Sequence, residues 1–524
     1  MSVSDLEKTI QKLNQIGIAL SSETNLERLL SLVVREVRGF THADAGSLYI
    51  RDGENLRFEV AQNDTIARRG AGQEEKFRPF PLPLTRTSIA GYVALTARTL
   101  NIEDVYELGR DPSCEFSFNR DFDQRNDYRS RSMLVVPMLD HRGENIGVLQ
   151  LINALDDENR VIPFPKEVEP LVLSLASQAA VAVRNAQLIA SIKNVFAALV
   201  RYSASAIDAR SPHTAGHSRR VAHYALLLAE AVNRRQEGRF AQVSFTQEEM
   251  EELSYSAWLH DIGKIGVREQ VLEKAGKLST ERLETIRTRF NLIGAGLRLE
   301  YQLRMLNLCR NGAPDPAVVA ALEAEREARL AELAQEQALV EKVNIPGFVT
   351  DAELERLTRI AAKKFDGPDG MIRPYLDDFE LENLSVRKGN LTEAEYREIQ
   401  SHVVHTSNII QKIPFTPELA RIPQFAAAHH EMLNGTGYPD RLQGDQIPLQ
   451  ARILGVVDIF DALVASDRPY KKAMPAVKAQ AILKEEAERG RLDPDLVELF
   501  ISEGIGDQTM VDSLARHEDS QTKL

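Results

Sequence analysis

The sequence predicts two parts of different class: a mixed α/β segment over residues 25–185 and a predominantly helical one over 209–512, with a long connecting helix between them. Three observations carry this. Short apolar runs on either side of Asp52-Gly53 and of His141-Arg142-Gly143 read as strand pairs closed by turns. Residues 168–208 hold an apolar stripe uninterrupted by glycine, which reads as one long helix. Beyond residue 209, histidines and aspartates recur inside stretches of helical period.

Composition narrows the class of protein. At 524 residues the chain has room for two to four domains. Hydrophobic residues at 43% and charged residues at 27% are ordinary for a soluble globular protein. There is no run of about 18 apolar residues, and the first ten residues are polar rather than signal-like, so a cytoplasmic protein without a membrane anchor is expected. Cys114 and Cys309, far apart, argue against a disulfide framework or a thiolate metal site. A net charge of −13 disfavours broad binding to nucleic acid or anionic membrane. A phosphate-bearing substrate would then need a local basic pocket or metal ions.

Taken in order, residues 1–24 form an N-terminal helix whose stripe is Leu6, Ile10, Leu13 and Ile16/Ile18. It can pair with a copy of itself or pack on its own domain. Leu26 to Val37 is helical, with Leu29, Leu30, Val33 and Val34 completing the stripe, and strands are expected at 45–50, 55–60, 132–138 and 146–153. In the connector the stripe runs through Leu171, Leu175, Ala179, Val181/Val183, Leu188, Ile192, Val195 and Leu199. That suits a rigid rod packed in parallel across a homodimer, or a plain interdomain helix.

The α/β segment resembles a GAF domain over nearly its whole length. The resemblance rests on Ala43–Leu48, Ser88–Val93 and Tyr128–Pro137. It implies an antiparallel sheet with flanking helices and a small-molecule sensor. Asn119-Arg120-Asp121-Phe122-Asp123-Gln124 is similar to the Asn-Lys…Phe…Asp-Glu signature of cyclic-nucleotide-binding members, with Arg120 for Lys and Gln124 for Glu. Asn119, Arg120, Phe122 and Asp123 are therefore ligand candidates. A dimerising domain without a ligand is the other reading.

Chemistry concentrates in the C-terminal part. Ser211 and Pro212 read as a helix start, which puts His213 and His217 on one face. His260-Asp261 stands where a helix ends, with Gly263 as a left-handed stop. Neighbouring residues diverge by about 100° on a helix. The pair therefore suits a monodentate nitrogen beside a bridging carboxylate, as a two-metal site requires. Lys264 suits a phosphate contact.

Thr392 to Glu395 is a capping box that starts the helix of His402, with Tyr396, Ile399, Val403, Ile410 and Ile413 as the buried stripe and His405 exposed. His429 and His430 end an apolar helix and, being adjacent, should diverge. Asp458 lies in an apolar helix, where a carboxylate is costly unless paired or metal-bound. Nitrogen and carboxylate donors without thiolate suit Fe, Mn or Zn, and seven candidates exceed the needs of one ion.

Residues from about Tyr202 to Asp512 resemble an HD-GYP domain, the subgroup of HD phosphohydrolases that cleaves cyclic di-GMP. The carrying motifs are Thr214–Ser218, His260–Gly266, His429–Glu431, Gly437-Tyr438-Pro439, Ile447–Arg452, Asp458–Leu463 and Asp467–Lys471. The resemblance implies an all-α fold around two or three divalent transition metals. Its ligands would be His217, His260, Asp261, His402, His429, His430 and Asp458, with His213 for a third ion. Asp261 and Lys264 would serve the reaction, and Lys264, Arg468, Lys471, Gly437, Tyr438 and Pro439 the substrate. It implies hydrolysis to linear pGpG, or with a second cut GMP, under control of the GAF segment. The alternative is a weakly active module that binds a cyclic dinucleotide or a protein partner.

Two departures stand out. Asn434 replaces an Asp of the motif, keeping the turn geometry but losing a charge. More than a hundred residues separate His260-Asp261 from His402, with an insertion at about 291–388. Residues 278–287 and 391–400 look like two copies of one segment, with Arg289 in the first where the second has His402. The second copy should supply the ligand. Ala317 to Val343 reads as a helix and 311–316 as a turn, giving a helical hairpin that serves as an arm, a lid, or simply a solvated surface. Residues 513–524 read as a disordered tail.

Overall fold

The computed structural model describes residues 3–23, 25–69, 80–110, 114–210, 216–310, 312–465 and 474–507. Arg468, Lys471, His213 and the 513–524 tail lie outside them. The chain divides into two compact units, Met1–Phe196 and Ala197–Leu524.

The first unit opens with α1 (Val3–Ser22) and α2 (Leu26–Thr41). Asn25 caps α2, its side chain accepting from the amide of Arg28. Strands β1 (Ala43–Asp52) and β2 (Asn55–Asn63) follow, turning at Gly53, whose φ of 57° favours glycine. Then come α3 (Asp64–Arg68), β3 (Phe80–Pro83), α4 (Ile89–Thr96), β4 (Leu100–Ile102) and α5 (Asp121–Arg125). The hairpin β5 (Met133–Leu139) and β6 (Asn145–Leu155) and the short β7 (Val161–Ile162) complete the unit before α6 (Glu169–Arg210).

The strands form one antiparallel sheet ordered β3-β2-β1-β6-β5-β4, with β7 also paired to β6. Alternation decides the faces. Leu48, Ile50, Leu149 and Leu151 meet the α2 stripe and Val172, Leu175, Ala179 and Val183 of α6. Leu56, Val135 and Val148 meet Ile89, Ala90 and Val93 of α4 on the other side. Within α1, Ile16 and Leu20 join the first core while Ile10 and Ile18 stay exposed. The N-terminal helix thus packs on its own domain.

The second unit is mainly helical: α7 (His217–Arg234), α8 (Gln247–Leu259), α9 (Glu269–Leu272), α10 (Thr280–Cys309) and α11 (Pro316–Asn344). A smaller stretch holds β8 (Gly347–Phe348), α12 (Asp351–Ala362), β9 (Lys364–Asp366), β10 (Ile372–Pro374), α13 (Asp378–Leu384) and β11 (Lys388–Gly389). Helices α14 (Glu393–Ile410), α15 (Ile422–Ala427), α16 (Leu449–Val464), α17 (Ala476–Glu488) and α18 (Pro494–Ser502) close it. Its core joins α7, α8, α16, α17 and α18, with Tyr224, Phe460 and Phe500 in mutual edge contacts. Truncating such a ring costs about 3–5 kcal/mol.

The insertion is more than a hairpin. Ile286, Phe290, Ile293 and Leu297 of α10 pack on Leu333, Leu339, Val340 and Val343 of α11, and Leu357, Ile360, Tyr375 and Leu384 extend the same core. Its outer face is not uniformly charged, since Leu299, Leu303 and Leu306 are exposed. Arg289 stays inside this substructure, bonding both oxygens of buried Glu380 at 2.6 and 3.0 Å and the carbonyl of Tyr375 at 2.9 Å. Among the described residues, no helix is long and apolar enough to cross a membrane.

Candidate metal centre

Five separate segments of the second unit deliver the site. His217 is the first residue of α7, after Gly216 in the left-handed region at φ 70°. Helix α6 ends at Arg210 and α7 begins at His217. The expected helix start at Ser211 and Pro212, and His213 with it, lie outside the described residues. His260 ends α8, and Asp261 heads the 3-10 turn Ile262–Gly266.

Gly263 is not a left-handed stop. It is glycine because a Cβ would collide with the His402 carbonyl and the Thr406 amide of α14. That close approach joins the His260-Asp261 turn to the helix of His402. His429 and His430 sit in the turn after α15, off the helix, and so they converge rather than diverge, with ring centroids 4.0 Å apart. Asp458 projects from the middle of α16. On α14, Tyr396 is exposed instead of joining the buried stripe, and His405 is half-buried against Gly266 instead of exposed.

Asp261 divides its two oxygens between two groups of histidines. Its Oδ2 lies 3.4 Å from His217 Nε2 and 3.3 Å from His260 Nε2, and its Oδ1 lies 3.3 Å from His402 Nε2. Asp458 Oδ1 stands 3.2 Å from His217 Nε2, and its Oδ2 4.0 Å from His430 Nδ1. The donor atoms of His217, His260 and Asp458 fall within 4.8 Å of one another, as do those of His402, His429 and His430. Lys264 Nζ bonds Asp261 Oδ2 at 2.6 Å.

Local backbone decides which nitrogens face inward. His260, His402 and His429 each place Nδ1 on the carbonyl three residues earlier, Ala257, Ile399 and Ala426, at 2.7, 2.5 and 2.7 Å. A carbonyl can only accept, so Nδ1 carries a proton and Nε2 is the ring nitrogen turned towards the centre, where a metal ion would displace any proton it holds. His402 Nε2 and His429 Nε2 are buried with no hydrogen-bond partner among the described residues. Such an orphan costs about 1–3 kcal/mol unless something satisfies it. These donors fit divalent transition metals: His217, His260, Asp261 and Asp458 would hold one ion and His402, His429, His430 and Asp261 another.

The electrostatics split along the same line. Burial works against charge on His260, but the carboxylates of Asp261 and Asp458 outweigh it and raise its pKa to about 9. His217 is likewise raised despite burial, by Asp261, Asp458 and Asp461. On the other side, burial and then neighbouring histidines push His429 well down, and burial brings His430 to about 4. Both aspartates stay ionised although buried, Asp261 through Lys264 and His260, Asp458 through His217 and His260.

A supporting layer escaped the sequence reading. Asp461, fully buried one turn after Asp458, accepts from His217 Nδ1 at 2.8 Å and from Arg220 at 2.7 and 3.0 Å. A second carboxylate in the same apolar helix was its available signal. Asp208, in the last turn of α6, takes both the amide and the hydroxyl of Ser218 at 3.1 Å, immediately after His217. Thr406 Oγ1 donates to the His260 carbonyl and accepts from the Gly263 amide, both at 2.9 Å.

One face of α14 and the loop 435–441 bound a groove of about 600 Å³ beside the centre. Tyr438 enters it with its ring 4.8 Å from that of His430. Gly437 must be glycine, since a Cβ would meet the backbone of His430–Met432. Asn434 accepts from the amide and hydroxyl of Thr436 at 3.1 and 2.7 Å and donates its own amide to the Arg489 carbonyl. An aspartate could not make that last bond.

In the first unit, Asp123 turns inward and holds the Tyr106 hydroxyl and both the amide and hydroxyl of Ser130. Asn119 caps the Asp121 amide, and Arg120 lies over the Tyr106 ring. Phe122 is exposed.

An antiparallel-sheet domain covered by helices, followed by a helical unit whose His/Asp cluster has the donor set for metal ions, is the combination of a GAF-like domain with an HD-type helical unit. Residues 25–183 match the GAF domain family, and residues 214–337 and 379–496 match the HD domain family. The chain carries a GAF domain followed by two stretches of HD-domain sequence, with residues 338–378 between them.

Three relatives are similar in part. The 3′3′-cGAMP-specific phosphodiesterase 3 of Vibrio cholerae is 41% identical over 147 residues, 28% of this chain and 29% of that protein. A cyclic di-GMP phosphodiesterase of the same organism is 33% identical over 125 residues, 23% of this chain and 25% of that one. The cyclic di-GMP phosphodiesterase response regulator RpfG of Xanthomonas campestris is 51% identical over 77 residues, 14% of this chain and 20% of that one. The chain therefore spans less than a third of the length of each of these relatives.

Proposed function

We propose that the second unit hydrolyses a cyclic dinucleotide, cyclic di-GMP in the favoured reading, with two or three divalent ions, Fe or Mn before Zn. The product is linear pGpG, or GMP after a second cut. The carrying observation is Asp261, one carboxylate whose oxygens face two separate histidine groups. Bound ions supply an activated water and positive charge at the phosphoryl oxygens. Asp261 holds the two ligand groups in one frame. Lys264 places a cation beside them, and Tyr438 offers an aromatic face at the groove. Arg468 and Lys471 would contact the substrate, and His213 would complete a third ion site.

The similarity to a 3′3′-cGAMP-specific phosphodiesterase supports a second substrate, 3′3′-cGAMP. A non-catalytic adaptor is less well supported, because every expected ligand among the described residues faces the centre and Asn434 has a structural role of its own. The GAF domain would regulate turnover through a small ligand, for which Asn119, Arg120, Phe122 and Asp123 stand as candidates.

A homodimer also belongs to this reading. Leu188, Ile192, Val195, Leu199 and Tyr202 are exposed on α6 at alternating steps of four and three, the spacing of a coiled-coil seam. The test of the activity is parallel turnover of cyclic di-GMP and 3′3′-cGAMP by the full chain loaded with Mn(II) or Fe(II), beside Asp261→Ala. Turnover lost in the variant is expected. Absence of turnover of either substrate by a metal-loaded wild type would reject the enzyme.

A further inference from the structure

We propose that Arg441 is a specificity-determining residue that binds the non-reacting phosphate of the substrate, and that Glu431 is the residue that positions it. Three observations converge on this pair. Arg441 stands in the left-handed region at φ 57°, a conformation a non-glycine residue adopts at a cost. The cause is Glu431, a buried carboxylate directly after His429-His430. It accepts three successive backbone N–H groups, those of Asp440 at 2.7 Å, Arg441 at 3.1 Å and Leu442 at 2.9 Å. This clamp ties the far end of the Gly437-Tyr438-Pro439 loop to the segment that supplies two metal donors.

The side chain so presented lines the groove beside the centre, along with Tyr438 and Arg397. Arg397 is paired with Glu393, whereas the Arg441 guanidinium is exposed and has no partner among the described residues. An unpaired guanidinium on a strained, clamped backbone beside a phosphodiester site suits a phosphate, which its planar fork can grip with two bonds. This rests on the cyclic dinucleotide reading. Such a substrate carries two phosphates, and while one is at the ions the other must lie along the groove. A mononuclear phosphodiester has no second phosphate to offer.

The test compares cyclic di-GMP with bis(4-nitrophenyl) phosphate on the full metal-loaded chain, for wild type, Arg441→Ala, Arg441→Gly, Glu431→Gln and the Arg441→Ala/Glu431→Gln double variant. Glycine relieves the backbone strain, so Arg441→Gly separates side-chain loss from misfolding. Both Arg441 variants should raise KM for the cyclic dinucleotide about 10- to 100-fold with kcat changed far less, since the contact is the same before and during the reaction. The ratio of kcat/KM for the two substrates should fall by the same factor. If Glu431 acts through Arg441, the double variant should lose no more of that ratio than Arg441→Ala alone. An unchanged ratio in Arg441→Gly overturns the phosphate contact, and additive losses overturn the positioning role. A wild type that cleaves only bis(4-nitrophenyl) phosphate rejects the proposed substrate itself, an outcome read without any variant.

Discussion

Asp461→Asn separates the metal-holding frame from mere packing. Asp461 is fully buried, and its oxygens take one bond from His217 Nδ1 at 2.8 Å and two from Arg220 at 2.7 and 3.0 Å. Asparagine keeps the volume but removes the negative charge that orients the His217 ring and offsets the guanidinium. Losing a carboxylate behind a metal-bound histidine typically weakens metal affinity 10- to 100-fold, about 1.4–2.7 kcal/mol. Taking the counter-charge from a buried arginine costs about 3–5 kcal/mol of folding stability.

The two effects come apart in a second variant, Asp461→Asn/Arg220→Met, which removes the stranded cation as well. Metal affinity would be read by competition with a chromogenic chelator, and stability by urea unfolding of the metal-free chain. Asp461→Asn should lose both, and the double variant should regain stability while metal affinity stays low. Affinity that recovers together with stability would show that Asp461 only packs, and wild-type affinity in the single variant would refute the reasoning outright.

Three further outcomes follow from the same geometry. His402→Ala should lower the metal content of the purified chain, whereas Arg289→Ala should leave it unchanged and instead cost about 1–3 kcal/mol, because buried Glu380 loses its nearest cation but keeps Arg282 at 3.7 Å and the Asp377 amide at 2.9 Å; metal analysis beside urea unfolding distinguishes the two copies. Burial pushes the Glu395 carboxyl up, but Lys274, at 2.6 Å, and the Thr392 cap hold it below the ordinary range. A depressed carboxyl stabilises the fold above its unfolded pKa of about 4.3, and that contribution disappears as the pH falls through the folded value. The stability difference between wild type and Lys274→Met should therefore be full at pH 7 and close in acid; a difference that is constant with pH would contradict the pairing. Ile192→Glu/Val195→Glu, at exposed positions of α6, should convert a dimer into a folded monomer in sedimentation, and an unaltered dimer would move the seam elsewhere.

The elements with one strong period were legible in the sequence. The α2 stripe and the unbroken α6 follow from helical spacing, and the β5–β6 pair, buried on both faces, shows as two short apolar runs around a turn. The Asp458 argument also held, since a carboxylate within an apolar helix needs a partner wherever the helix packs. What failed depended on where helices stop. His429 and His430 converge because α15 ends at Ala427, and His217 opens α7 rather than sitting a turn inside it because Gly216 precedes it in the left-handed region. Asp461, Arg220 and Glu431 were hidden for another reason: their partners lie in other elements or further along a loop, and no local period reports such bonds. The repeat of 278–287 at 391–400 shows in the sequence, but the compact core of the residues between arises from contacts among distant apolar side chains that no single stretch displays.

The bond from Asp208 to Ser218 gives α6 a mechanical consequence. A 42-residue helix behaves as a stiff shaft, and its last turn grips the backbone next to His217 through both oxygens of one carboxylate. The first turn of α7, and with it His217, is therefore pinned to the end of α6 by a carboxylate as well as by the chain.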